Sequence, residues 1–338
     1  SGKKVLVLEA HEYPGGFGHT FELANKYKFN AQLHYVWDCG EGQTVNRILK
    51  RLNLDKEVTF DQYNKNGFDH MMMPGYSLDI PSDNNELIKR LAILFPNDAE
   101  NIRRFILEIQ QVREGLRSLT FPINFLKLIK NFDTALCALK YLNSKLQDGF
   151  NKFKLPQGAQ TLLALQWVDF LLPPDQLSFY AWVVLFTGYQ QGAFYPTKHF
   201  GHVINSLVKV IEDNEGKVLL NYEVSNFLID NQTVIGVNAF DRITHQNYKF
   251  TAETTICNID PKKAAHMIGM NKFSLTIQKQ LNYDYSPSNF MAYCVVKDID
   301  LRNYGFGNWN TFYCGHRDLN TAFYQMYEKH DFSPHRHY

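Results

Sequence analysis

The alternation of apolar and polar positions sets strand-like segments near both ends of the chain around a long, helix-patterned middle. Residues 4–8 (Lys-Val-Leu-Val-Leu) form a short apolar run, which suits a strand buried on both faces of a parallel sheet. The run opens almost at residue 1, and a buried parallel strand needs neighbours, so the expectation is a chain that starts in the middle of a fold. Residues 44–54 carry helical spacing through Val45, Ile48, Leu49 and Leu52. Ser82-Asp83-Asn84-Asn85-Glu86 is a helix start ahead of 87–94. Pro96-Asn97-Asp98 opens a second helix bearing Ile102, Phe105, Ile106 and Ile109.

Residues 125–146 give the clearest amphipathic pattern. Phe125, Leu128, Ile129, Phe132, Leu136, Leu139 and Leu146 gather on one face, and Lys127, Lys130, Asn131, Lys140 and Lys145 on the other. Such a helix suits either a membrane interface or a core-packed position with a solvated back. Helical patterning continues over 159–170 and 175–186, and 66–186 shows little strand character. Beyond Tyr195 the pattern returns to α/β. A helix over 197–213 ends at Gly216, and a strand follows over 217–220. A hairpin pairs 223–230 with 233–240 across Asn231-Gln232. Further strands are expected over 248–251, 254–258, 289–296 and 309–314. These patterns give four segments: 1–65 and 191–270 as two parts of one α/β domain, 66–190 as a mostly helical region, and 271–338 as incomplete strands of the helical domain.

Composition narrows the function classes. Lys plus Arg number 35 against 34 Asp plus Glu, so nothing in the charge balance points to nucleic acid. Aromatic residues reach 14%, with 26 Phe and 19 Tyr, enough to build thick cores or to line a slot for a long apolar ligand. The five cysteines, Cys39, Cys137, Cys257, Cys294 and Cys314, are dispersed without metal spacing, as expected in a reducing compartment. No apolar run reaches the roughly 18 residues of a spanning helix. A cytoplasmic protein, with peripheral membrane contact through 125–146, is the expectation. The 12 histidines include His199 and His202 at helical spacing, but no further metal ligands accompany them, so no metal is expected.

The candidate chemistry lies in the first strand, which ends in Glu9. In a dinucleotide-binding unit the second parallel strand ends in a carboxylate that accepts hydrogen bonds from the adenosine ribose. Six residues on, Gly15-Gly16 can bring backbone N–H groups against a pyrophosphate, since no Cβ blocks the approach. The competing reading is an ordinary strand and turn with an incidental glutamate. Gly16-Phe17-Gly18 is not the glycine fingerprint, because Phe21 stands where its third glycine belongs and the fingerprint should precede the strand.

The stretch 3–35, with Val-Leu-Val-Leu-Glu9, Gly15-Gly16, His19-Thr20-Phe21 and Phe29-Asn30-Ala31-Gln32-Leu33-His34-Tyr35, resembles the phytoene desaturase-like flavoproteins, nearest the carotenoid isomerase and retinol saturase branch. Gly192-Ala193-Phe194-Tyr195-Pro196, the strand pair around Val224, and Ile256-Cys257-Asn258 are similar to later segments of that family. The resemblance implies an FAD-binding Rossmann-like domain of the glutathione reductase type with a largely helical substrate domain, and FAD as cofactor. It implies that Glu9 holds the ribose and that Gly15 and Gly16 approach the pyrophosphate. Val224, Cys257 and Asn258 would lie at the adenine end, with His19 and Thr20 along the cofactor channel. The substrate it implies is a long apolar polyene, carotenoid or retinoid-like, undergoing desaturation, saturation or cis–trans isomerisation, with no catalytic residue identified. His34 and Tyr35 are the nearest candidates, and both could be structural. The departures are Tyr13, where the family often has arginine, and Asn30 and Gln32, where it has an acidic residue and a glycine. The family's last, flavin-closing segment has no counterpart after Asp331, so an incomplete chain that binds FAD poorly is expected. An amine oxidase-like flavoenzyme and a truncated, non-catalytic homologue are the alternatives, and the oligomeric state is open.

Overall fold

The computed structural model describes residues 2–119 and 129–330. The chain divides into two compact units, one of Ser1–His34, Leu49–Thr59 and Pro196–Tyr285, the other of Tyr35–Ile48, Phe60–Tyr195 and Ser286–Tyr338.

In the first unit the Leu6–Glu9 strand pairs in parallel with Lys217–Leu220, placing Glu9 opposite Leu220. The two are connected by a crossover that includes the Phe200–Asp213 helix, the right chain economy for a parallel pair, which cannot be joined by a tight turn. Lys217–Leu220 runs into an antiparallel three-stranded sheet, Tyr222–Asp230, Thr233–Asp241 and Asn247–Thr251. Its hairpin turns at Asn231 and Gln232, both at positive φ (46° and 68°), as a two-residue hairpin demands. Phe227, Val237 and Ala264 form its small core, with Leu8 and Val224 packed against them. A second hairpin, Thr20–Leu23 with Tyr27–Asn30, completes the sheet structure of this unit.

The second unit holds the larger core. Asp83 caps the Asn84–Leu94 helix by accepting from Glu86 N–H at 2.8 Å, and the Pro96–Asp98 turn leads into Ala99–Leu119, both as the sequence predicts. Aromatic side chains fill the centre: Phe105 lies 5.5 Å from Phe150 and 6.0 Å from Trp182, which stacks on Phe186 at 4.9 Å. The central aromatics are therefore mainly core, not the lining of a slot.

Several expectations are corrected. Asp69–Met73 and Tyr76–Ile80 form a hairpin inside the stretch expected to lack strands, and Asn310–Tyr313 adds to it in parallel. Met71 and Met73 face the core while Met72 points outward, an alternation that Pro74-Gly75 closes. The 254–258 and 289–296 segments form no strands; Ile256 is 89% and Phe290 94% exposed. Their apolar composition meets no partner strand among the described residues, and a strand without one leaves its backbone to water. For the same reason the first strand is not buried on both faces: it is paired along one edge, and Val5 and Leu6 are exposed. The 125–146 helix is not continuous. Part of it lies outside the described residues; the remainder breaks at Asn131, forms Phe132–Leu139, and restarts as Leu146–Lys152. Helices at Pro261–Ile268, Leu275–Leu281 and Leu319–Lys329 were not expected; each begins on an Asp or Ser that accepts N–H bonds from its first turn.

Candidate functional site

Glu9 ends its strand half-buried, and its Oε1 accepts from the His11 N–H at 2.8 Å. The backbone then turns back on the second parallel strand, where Asn221 N–H donates to the His11 carbonyl and the Arg242 guanidinium to the Ala10 carbonyl, both at 3.1 Å. Asn221 holds positive φ (64°), which lets the chain leave the parallel strand and enter the antiparallel sheet within one residue. A carboxylate is thereby fixed at the carboxyl edge of a parallel pair, where α/β sheets bind their ligands.

Three rings join Glu9 to the glycine turn. His11 lies 5.5 Å from Tyr13 and 5.1 Å from His19, and Tyr13 stacks on His19 at 5.5 Å with the rings nearly parallel. His19 Nδ1 donates to the Gly16 carbonyl at 2.6 Å. Gly15 and Gly16 both take positive φ, 105° and 54°. They differ in their surroundings: a Cβ on Gly15 would run into the Ile204 side chain, whereas one on Gly16 would meet nothing within 4 Å. Gly15 lets the turn pack on the Phe200–Asp213 helix. Gly16 leaves an open face at which a ligand could approach the backbone.

Thr20 is held in a helix cap. Its hydroxyl donates to Asn30 Oδ1 at 2.9 Å and accepts from the Gly201 N–H at 2.8 Å. Asn30 Oδ1 also accepts from Phe200 N–H at 3.3 Å, and His199 Nδ1 from His202 N–H at 3.0 Å. The first three N–H groups of this helix are thus satisfied within the protein. The Asn30 departure keeps the acceptor that this cap needs. His199 and His202 act in capping and in a 3.1 Å contact between His202 Nε2 and the Glu57 carbonyl, with their rings 6.4 Å apart.

Val224 pairs with Ala239 beside a register shift and packs against the same small core as Leu8, so the strands of Glu9 and Val224 are brought together. Cys257 and Asn258 are not drawn in: both are exposed on the irregular stretch after Thr251. The structure therefore assembles Glu9, Gly15, Gly16 and His19, places Val224 on the adjoining sheet, and sets Thr20 in a cap. His11 and Tyr13 were missed. Their signal was the spacing of aromatic and imidazole rings two and four residues after the strand-ending carboxylate.

In the second unit Tyr35 is buried. Its hydroxyl donates to Asp69 Oδ2 at 3.1 Å, and Gln166 Nε2 donates to the same oxygen at 2.6 Å. Tyr35 stacks on Tyr189 at 3.9 Å, which meets Trp37 edge-on at 4.9 Å. Burial pushes the Asp69 carboxyl up to about 7, with the bonds from Tyr35, Asn310 and Gln166 opposing it. Tyr35 is a structural hydroxyl here, held well above the usual phenol range by burial and by Asp69. A groove of about 590 Å³ lies in the same unit, lined by Trp37, Leu116, Phe170, Tyr180, Val184 and Leu185 among others, and almost wholly apolar.

The residues present fit a dinucleotide in part: Glu9 offers a carboxylate at the strand end, and the open face at Gly16 leaves room for a phosphate.

Comparison with known proteins agrees with this. A model of the NAD(P)-binding Rossmann-like domain matches residues 1–52. The all-trans-retinol 13,14-reductase of Danio rerio is 25% identical over 249 residues, 70% of this chain and 40% of that protein. The Homo sapiens all-trans-retinol 13,14-reductase is 26% identical over 244 residues, 68% of this chain and 39% of that protein. The chain thus spans about 40% of the length of the curated relatives it matches. Among solved structures, a protein of Pyrococcus furiosus superimposes with a TM-score of 0.53 at 16% identity, over 84% of this chain and 60% of its own. An oxidoreductase of Methanosarcina mazei does so at 0.50 and 16%, over 82% and 58%. At that identity the two structures speak for the fold. The strand-ending Glu9 and the glycine turn lie within the part of the chain that matches a Rossmann-like dinucleotide-binding domain, and the chain is similar to the all-trans-retinol 13,14-reductases.

Proposed function

We propose that this chain carries the adenosine-side part of an FAD site in an oxidoreductase acting on a long apolar polyene, retinoid or carotenoid in kind. The observation that carries the reading is Glu9, fixed at the carboxyl edge of a parallel strand pair beside a glycine turn whose Gly16 face is open. Bound there, FAD would supply hydride or electron chemistry for saturating, desaturating or isomerising a double bond. Glu9 would accept the ribose hydroxyls, Gly15 and Gly16 would line the pyrophosphate, and His19 would hold the turn through the Gly16 carbonyl. Val224, Cys257 and Asn258 would serve the adenine end, Cys257 and Asn258 only once their stretch is drawn onto the sheet. The groove lined by Trp37, Tyr180 and Val184 would take the apolar substrate, since it offers almost no polar surface for a hydrated one.

FAD binding to the chain, followed by the quenching of flavin fluorescence, tests this. Glu9→Ala removes charge-assisted bonds worth about 1.5–3 kcal/mol and should weaken FAD roughly ten- to a hundredfold. Affinity unchanged in the variant, or no binding by the parent chain, would remove Glu9 as the ribose ligand. A second reading, a homologue that binds without turnover, draws support from Asn30 and Thr20, whose polar atoms are spent on capping a helix.

A further inference from the structure

Arg113 has no counterion among the described residues. Its guanidinium is half-buried and donates from Nη1 to the Thr187 carbonyl at 2.9 Å, its one hydrogen bond there. The acidic residue beside it in the chain, Glu114, is paired instead with Arg117 at 3.1 Å. Burial pushes the guanidinium down to about 10, Arg117 pushes the same way, and Glu114 opposes them. A guanidinium keeps its charge at neutral pH and carries several N–H donors in a planar fork. Drawing such a group out of water against a single carbonyl is costly. A neutral amide would make the same tie to Thr187 without that cost, so the tie alone does not account for an arginine.

Its position is more telling. Arg113 precedes Leu116 by three residues on the Ala99–Leu119 helix, and Thr187 follows Val184 by three on the Phe179–Gln190 helix. Each is therefore one turn from a residue that lines the apolar groove, on the same helix face. The bond between them closes one end of the groove. Trp37 lies at that end too: a Cβ on Gly188 would stand 3.1 Å from its indole, and Tyr189 meets it edge-on at 4.9 Å. Leu119 and Tyr180, the lining residues farthest along the two helices from Arg113 and Thr187, mark the other end. Asp169, next to Phe170 of the lining, acts on Tyr189 and Tyr35 rather than on Arg113.

We propose that the groove takes a long apolar chain ending in a carboxylate, with Arg113 holding the carboxylate and Leu116, Val184 and Leu185 along the chain. A carboxylate matches the fork with two parallel bonds and cancels the charge, whereas an alcohol engages one donor and leaves the charge uncompensated. An alkyl phosphate would bring a charge near two to a single cation. The groove's volume, about 590 Å³, is that of a site for one such molecule. The apolar occupant rests on the substrate reading above; the anionic end goes beyond it.

Fluorescence titration of the 338-residue chain with parinaric acid, a conjugated polyene carboxylic acid, tests the proposal beside the corresponding alcohol, methyl ester and alkyl phosphate. The acid should bind at least roughly tenfold tighter than the alcohol or the ester. Arg113→Gln, which keeps a donor for the Thr187 carbonyl, should remove that preference and leave alcohol binding unchanged. A melting temperature close to the parent's would show that the variant folds. Equal binding of acid and alcohol by the parent overturns the carboxylate and leaves the groove as an apolar site; binding of neither overturns both readings. An acid preference that survives Arg113→Gln, or a variant that loses acid and alcohol alike, removes Arg113 as the ligand. Tighter binding of the phosphate than of the acid would overturn the choice of head group. No flavin is present, so the outcome is independent of the FAD test.

Discussion

Asp69 is buried with no ion-pair partner among the described residues, and it accepts from three donors, Tyr35, Gln166 and Asn310, beside an aromatic stack. Burial penalises the carboxylate more than these bonds reward it, which is why its pKa stands near 7 rather than in the usual carboxylate range near 4. The folded state then holds a proton that the unfolded chain gives up. Stability from this group is complete below about pH 4 and lost as the pH rises through about 7. Urea unfolding at pH 5 and pH 8 should show the folded state weaker at the higher pH. Asp69→Asn, which keeps an acceptor for Tyr35, should flatten that difference by on the order of 2–3 kcal/mol. An unchanged difference would place the pH dependence elsewhere. None of this could be read from the sequence: Tyr35, Asp69 and Gln166 are distant in the chain, and no spacing rule joins them. Glu9 is the opposite case, legible because a carboxylate ending an apolar strand is a local pattern.

At the scale of elements, the two glycines of the first turn should behave differently. Gly15→Ala meets both a left-handed φ and the Ile204 side chain, so the turn must lift from the Phe200–Asp213 helix. Gly16→Ala has the space and bears only the backbone cost, about 1 kcal/mol. Thermal melts should show the larger loss at Gly15, and any loss of FAD affinity at Gly16 should exceed its loss of stability. Equal losses at both sites would mean that the Ile204 contact gives way without cost. Elements with a local signal were readable: the Tyr222–Asp230 and Thr233–Asp241 hairpin follows from its alternation and two-residue turn, and the Asn84–Leu94 helix from its cap. The 254–258 and 289–296 segments misled because apolar composition says a strand is affordable but not that a partner is present. The Asp69–Met73 strand was missed for the converse reason, since three consecutive methionines hide an in–out alternation that only the hairpin displays.

At the scale of the molecule, the proposed site for a large apolar ligand is the mainly apolar groove lined by Trp37, Tyr180 and Val184. Val184→Glu sets a charge on the wall of that groove at a position already half exposed, where it should not disturb the core. Binding of a fluorescent polyene should weaken by at least roughly tenfold, with the melting temperature little changed. A variant that binds as the parent does would remove the groove as the substrate site. Two units, each with its own core, also explain why length and composition served only as bounds. The division between them interleaves segments, with 35–48, 60–195 and 286–338 in one and 1–34, 49–59 and 196–285 in the other.

Local patterns in the sequence determined the first strand and its terminal carboxylate, the glycine turn, the Asp83 cap of the Asn84–Leu94 helix and the hairpin with its left-handed turn, because each depends on residues a few positions apart. Tertiary structure alone decided that Thr20 and Asn30 cap the Phe200–Asp213 helix and that Asp69 is buried against Tyr35 and Gln166. It also decided that the large side chains of Phe132–Leu139 point to solvent. Amphipathic spacing says that a helix has two faces. Which face is buried depends on the neighbour it meets, and here Gly115 admits the small one.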